Sequence, residues 1–103
     1  MNTGDQRRSR RVIYYSEALV EGLDVGGAMA RVSDLSTSGA FIASRTVMPP
    51  GTLTKLTFRV RYREIQVTVA VRYAIPEIGM GVRFVNLSQE DRALIEEVVK
   101  AQG

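Results

Sequence analysis

Strict alternation of apolar and polar residues marks two neighbouring strands in the middle of the chain. The apolar positions of these strands are Leu56, Phe58, Val60 and Tyr62, followed by Ile65, Val67, Val69 and Val71. Alternate residues of a strand point to opposite faces, so each strand has one face for a core. The pattern therefore predicts a hairpin with its turn at residues 63–64 and with Phe58 and Tyr62 on the core side.

Shorter apolar runs on either side predict further strands. These runs are bounded by turn residues and lie at 18–23, 28–33, 40–43 and 80–84. Asp24 to Gly27 would form the first connecting turn, and residues 12–15 would anchor the preceding segment.

A helix is predicted to follow the last strand. Ser88 and Asp91 form an N-terminal capping pattern, and Leu94, Ile95, Val98 and Val99 share one helical face. Six or seven antiparallel strands with a terminal helix favour a mainly β fold, a small closed barrel without exposed sheet edges.

The composition narrows the possible functions. A chain of 103 residues with 45% hydrophobic content suits one domain, and it has neither cysteine nor histidine. The usual general base, the usual metal ligand and all thiolate chemistry are therefore missing, and the acidic residues of the predicted helix suit a solvated face. We expect no enzyme, no catalytic residue, no metal and no cofactor.

The chain shows no signal peptide and no apolar run long enough to insert into a membrane, so we expect a cytoplasmic protein.

Positive charge is concentrated near the N-terminus. Arg7, Arg8, Arg10 and Arg11 occupy four of five consecutive positions. A guanidinium is always protonated and can bind a phosphate or a guanine edge with two hydrogen bonds. The alternative is a merely solvated charge run. We interpret residues 1–11 as a flexible arm and residues 12–103 as a single barrel domain.

The turn at residues 34–39 also has two interpretations. Asp34 and Ser36 would project from one side of an extended segment, where the carboxylate could accept the N1 and N2 protons of a guanine. Gly39 would let a flat ligand approach the backbone. Alternatively, the Asp and Ser side chains only satisfy the backbone of their own turn.

Together these stretches resemble the PilZ domain family, bacterial receptors for cyclic di-GMP. The resemblance rests on three stretches of the sequence. These are an Arg-x-x-x-Arg motif at Arg7 and Arg11, an Asp-x-Ser-x-x-Gly motif at Asp34, Ser36 and Gly39, and residues 79–88, which would form the last strand and the start of the helix. The resemblance implies a six-stranded antiparallel split barrel with a C-terminal α-helix. It also implies that Arg7 and Arg11 bind phosphates and the Hoogsteen edge of guanine, opposite Asp34, Ser36 and Gly39.

Several points stay open within this resemblance. Arg8 would stack on a base or reach a phosphate, the register of the run leaves the role of Arg10 undecided, and the site would hold one ligand or two. The implied function is a cyclic di-GMP receptor or adaptor whose arm becomes ordered on binding and signals to a downstream protein.

The alternatives are a basic barrel for single-stranded nucleic acid and a PilZ-like interaction module without a ligand. The first needs exposed aromatic residues. Because Phe58, Tyr62 and Phe84 fall on apolar faces, we expect no DNA or RNA partner.

Overall fold

The structure is a computed structural model that describes residues 10–23 and 30–102. Its elements are β1 (Val12–Val20), β2 (Ala30–Leu35), β3 (Gly39–Ala43), β4 (Leu53–Val60), β5 (Arg63–Ile75), β6 (Gly79–Phe84) and α1 (Gln89–Gln102). The antiparallel strands close into a barrel in the order β1-β2-β3-β6-β5-β4, which confirms the predicted fold class. Arg7, Arg8 and the turn predicted at residues 24–27 lie outside the described residues.

The barrel interior is filled by the apolar faces that the alternation predicts. The buried positions on β4 and β5 are Leu56, Phe58, Val60, Ile65, Val67, Val69 and Val71. Phe58 also stacks with Phe84 of β6, with ring centroids 6.2 Å apart. Because strand side chains alternate between the two faces, the intervening polar residues lie on the outside of the barrel.

Helix α1 adds its apolar face to the same core. Its buried apolar residues are Leu94, Ile95, Val98 and Val99. The backbone amide of Asp91 donates to Ser88 Oγ at 3.1 Å, which confirms the predicted cap. Arg63 Nε donates to Asp91 Oδ1 at 2.8 Å, and this hydrogen bond raises the pKa of the Arg63 guanidinium. In residues 10–23 and 30–102, no helix combines the length and hydrophobicity needed to cross a membrane.

The turn between β4 and β5 corrects one prediction. Val60 pairs with Arg63, so the turn consists of residues 61–62 instead of 63–64. Arg61 has a φ of 59°, the positive φ that tight two-residue hairpin turns require. Tyr62 consequently leaves the alternation and is 80% exposed, so its predicted place in the core was wrong.

Strand β1 is longer than the sequence pattern indicates. It begins at Val12, and residues 12–15 form its first half. Burial alternates along the whole strand, but the outward positions Ile13 and Tyr15 are apolar and the inward position 16 is a serine, which explains why the pattern shows a strand only from residue 18. The pairing places Ile13 opposite Asp34, so the chain enters the barrel beside the end of β2.

Candidate functional site

An ion pair joins the last residue before β1 to the end of β2. Arg11 Nη1 donates to Asp34 Oδ1 at 2.5 Å, and the two side chains are 42% and 31% exposed. Ile13 pairs with Asp34 across β1 and β2, and this register brings Arg11 to the carboxylate. A guanidinium has further N–H donors and a carboxylate has a second oxygen. The pair therefore presents both donors and an acceptor to a ligand at the barrel surface.

The serine of the same turn is buried. Ser36 is 1% exposed, and its Oγ accepts hydrogen bonds from the backbone amides of Ser38 and Gly39, each at 3.1 Å. The amide of Ser36 in turn donates to the carbonyl of Gly39 at 2.9 Å. The hydroxyl thus stabilises the turn through its own backbone. A direct bond to a ligand requires this hydroxyl to leave its bonds and its buried position.

Gly39 lies where two strands approach closely. A Cβ on Gly39 would lie 2.1 Å from the carbonyl oxygen of Val82 on β6, a distance that no side chain tolerates. Gly39 pairs with Arg83, which is exposed on the outer face. Glycine is therefore required for the packing of β3 on β6.

Further arginines reach this turn from distant parts of the chain. Arg92 of α1 donates from Nη1 to the carbonyl of Thr37 at 3.4 Å, and Arg83 arrives through strand pairing. Arg10 is exposed next to Arg11. Neither Arg83 nor Arg92 is recognisable from the sequence, because barrel register and helix docking alone bring them here. Positive charge therefore converges on the turn from three separate segments.

Comparison with known proteins identifies the family. Residues 5–101 match the PilZ domain, so the chain belongs to the PilZ domain family, a cyclic di-GMP-binding family of receptor and adaptor modules. The fold is similar to the structure of the Bacillus subtilis inhibitor of motility (MotI/DgrA), with a TM-score of 0.76 and 16% identity. That match covers 94% of this chain and 51% of the other, so this chain spans about half its length. No curated protein matches the chain.

Proposed function

We propose that this chain is a cyclic di-GMP receptor that binds its ligand between the arm, residues 1–11, and the turn, residues 34–39. The observation that carries the proposal is the contact between Arg11 and Asp34, because it joins one residue of each family motif at a partly exposed position. The membership of the chain in the PilZ family supports the same ligand.

The chemistry of the ligand suits these groups. Cyclic di-GMP has two phosphates and two guanine Hoogsteen edges for Arg7 and Arg11, with Arg8 as a further phosphate or stacking contact. The second oxygen of Asp34 can accept from the Watson–Crick edge of a guanine. A bidentate contact between arginine and guanine contributes about 1–3 kcal/mol. An exposed ion pair contributes only about 0–1 kcal/mol to stability. A ligand can therefore replace Asp34 as the partner of Arg11 with little loss of free energy.

The signal proposed is the ordering of the arm. Four arginines in five positions repel one another, and a dianionic ligand removes that repulsion. Binding would fold the arm across the barrel, and a downstream protein in the cytoplasm would recognise the new surface. In this account Ser36 and Gly39 shape the turn that faces the arm.

Single-stranded nucleic acid is the competing ligand. Tyr15 and Tyr62 are exposed and supply aromatic rings on which bases could stack. The sequence pattern, in contrast, had placed Tyr62 in the core. Asp34 opposes this alternative, because a carboxylate in the centre of the basic site repels a phosphate backbone but accepts from a guanine edge. A PilZ module without a ligand is the other alternative.

Titration calorimetry separates the three functions. We expect micromolar or tighter binding of cyclic di-GMP and no comparable binding of a short single-stranded oligonucleotide. Replacement of both Arg7 and Arg11 by alanine should abolish binding, while the far-UV circular dichroism stays rich in β-structure. Tight binding of the oligonucleotide, or no binding of either compound, would overturn the proposal.

A further inference from the structure

A row of paired residues crosses the outer face of the barrel from Asp34. On one side Ile13 of β1 pairs with Asp34, and on the other side Asp34 pairs with Phe41 of β3. Gly81 of β6 continues the row, because it pairs with both Phe41 and Tyr73 of β5. Neighbouring strands lie about 4.8 Å apart, so three strand spacings from Asp34 to Tyr73 span roughly 14 Å. This row, from Asp34 to Tyr73, is wide enough for a purine.

Two bulges bring the ends of this row into place. The register shifts between Val32 and Asp34 where β2 pairs with β3, and between Val71 and Tyr73 where β5 pairs with β6. A bulge inserts one residue into a strand and changes the direction of the side chains that follow. Asp34 and Tyr73 therefore reach the same row through two separate irregularities of the sheet.

The aromatic side chains of this row lie on glycine backbone outside the core. A Cβ on Gly81 would lie 2.4 Å from the ring of Tyr73, and a Cβ on Gly79 would lie 2.6 Å from the ring of Phe41. The two ring centroids are 6.3 Å apart and the rings are inclined by 32°. Tyr73 remains 43% exposed. The glycines of β6 thus leave room for an aromatic surface beside the carboxylate.

We infer that Phe41 and Tyr73 form a stacking wall for one guanine base, whose Watson–Crick edge is bound by Asp34. The inference rests on the proposed function and adds two ligand-positioning residues to it. Every base has a π face on which an aromatic side chain can stack, and this stacking does not depend on contacts to the phosphates. Asp34 then selects guanine from among the bases, because its carboxylate accepts from the N1 and N2 groups of guanine.

An aromatic ring that covers a strand glycine also stabilises the strand. The test therefore needs a measurement that would not change if Phe41 and Tyr73 had only this structural role. The guanine H8 resonance of cyclic di-GMP provides it. Stacking on an aromatic ring shifts this resonance upfield in the complex with the wild-type protein. Tyr73→Leu removes one of the two ring currents and should reduce the shift, whereas Tyr73→Phe should keep it. An H8 resonance that moves equally with Tyr73→Leu would overturn the inference.

Affinity is measured on the same variants by calorimetry. Tyr73→Leu and Phe41→Leu should each weaken cyclic di-GMP binding on the order of tenfold. Tyr73→Phe should bind as the wild type does, and so should Tyr62→Leu, which removes an exposed tyrosine from the β4–β5 turn. Unchanged affinity in both leucine variants would overturn the inference and leave the proposed function standing. No binding by the wild-type protein would overturn both.

Discussion

Gly39 and Val82 approach so closely that any side chain at position 39 would collide with β6. The added Cβ would meet the Val82 carbonyl oxygen at 2.1 Å, and this atom belongs to the backbone and cannot rotate away. The glycine of the Asp-x-Ser-x-x-Gly motif is therefore a requirement of the barrel. Any contribution to ligand binding is additional to this role.

The first prediction is that Gly39→Ala destabilises the fold. Overpacking of this kind costs about 1–3 kcal/mol, and a collision with backbone belongs at the upper end of that range. The free energy of unfolding, measured by urea denaturation, checks the prediction. Gly51→Ala is the matched control, because an added Cβ there meets nothing within 4 Å and only the φ of 92° is unfavourable. A loss no larger than that of the control would contradict the collision.

The second prediction concerns the buried hydroxyl of Ser36. Ser36→Ala leaves the amides of Ser38 and Gly39 without their acceptor, so we expect a loss of stability of about 1–3 kcal/mol. Ser38→Ala should cost less, because the Ser38 hydroxyl is bonded to another hydroxyl, that of Ser36 at 3.1 Å, and accepts from no backbone amide among residues 10–23 and 30–102. Thermal denaturation compares the two variants. If Ser36→Ala melted like the wild type but lost ligand binding, the hydroxyl would act on the ligand instead of the turn.

The third prediction separates binding from stability at Asp34. Asp34→Ala should weaken cyclic di-GMP binding on the order of tenfold, because it removes the acceptor for the guanine edge. It should change the stability by less than about 1 kcal/mol, because its ion pair with Arg11 is partly exposed. Calorimetry and thermal denaturation measure the two quantities.

Glu97→Ala provides the control for this prediction. Glu97 forms an exposed ion pair with Arg61 at 3.4 Å, and neither residue belongs to the proposed site. This variant should leave both the affinity and the melting temperature nearly unchanged. Equal losses of affinity in the Asp34 and Glu97 variants would indicate a general effect of charge instead of a contact with the ligand.

The fold was predictable where side-chain alternation is unbroken. β4, β6 and β5 as far as Val71 alternate strictly, and the sequence places their buried residues correctly, whereas Tyr62 of the β4–β5 turn was placed wrongly. Tyr62 continues the apolar alternation in the sequence, but the positive φ of Arg61 turns the chain one residue earlier. The pattern also misses the first half of β1, because its outward positions Ile13 and Tyr15 are apolar and its inward position 16 is a serine.

The candidate site was predictable only in part. The two motifs predict a common site for Arg11 and Asp34, and the two side chains are in contact in the structure. The burial of Ser36 and the contact between Gly39 and Val82 depend on how the turn packs against β6, which no local pattern expresses. Arg83 and Arg92 come close to the turn, and Tyr73 to the row that begins at Asp34, through strand register, helix docking and a bulge, all of which are properties of the complete barrel.

Hydrogen exchange of the arm tests the central claim most directly. Amides at residues 7–11 should exchange rapidly in the free protein and become protected when cyclic di-GMP is added, because the ligand is proposed to order the arm against Asp34. Amides of the β4–β5 turn at residues 61–62 should not respond and provide the internal control. Binding of cyclic di-GMP without any change of exchange at residues 7–11 would contradict the account.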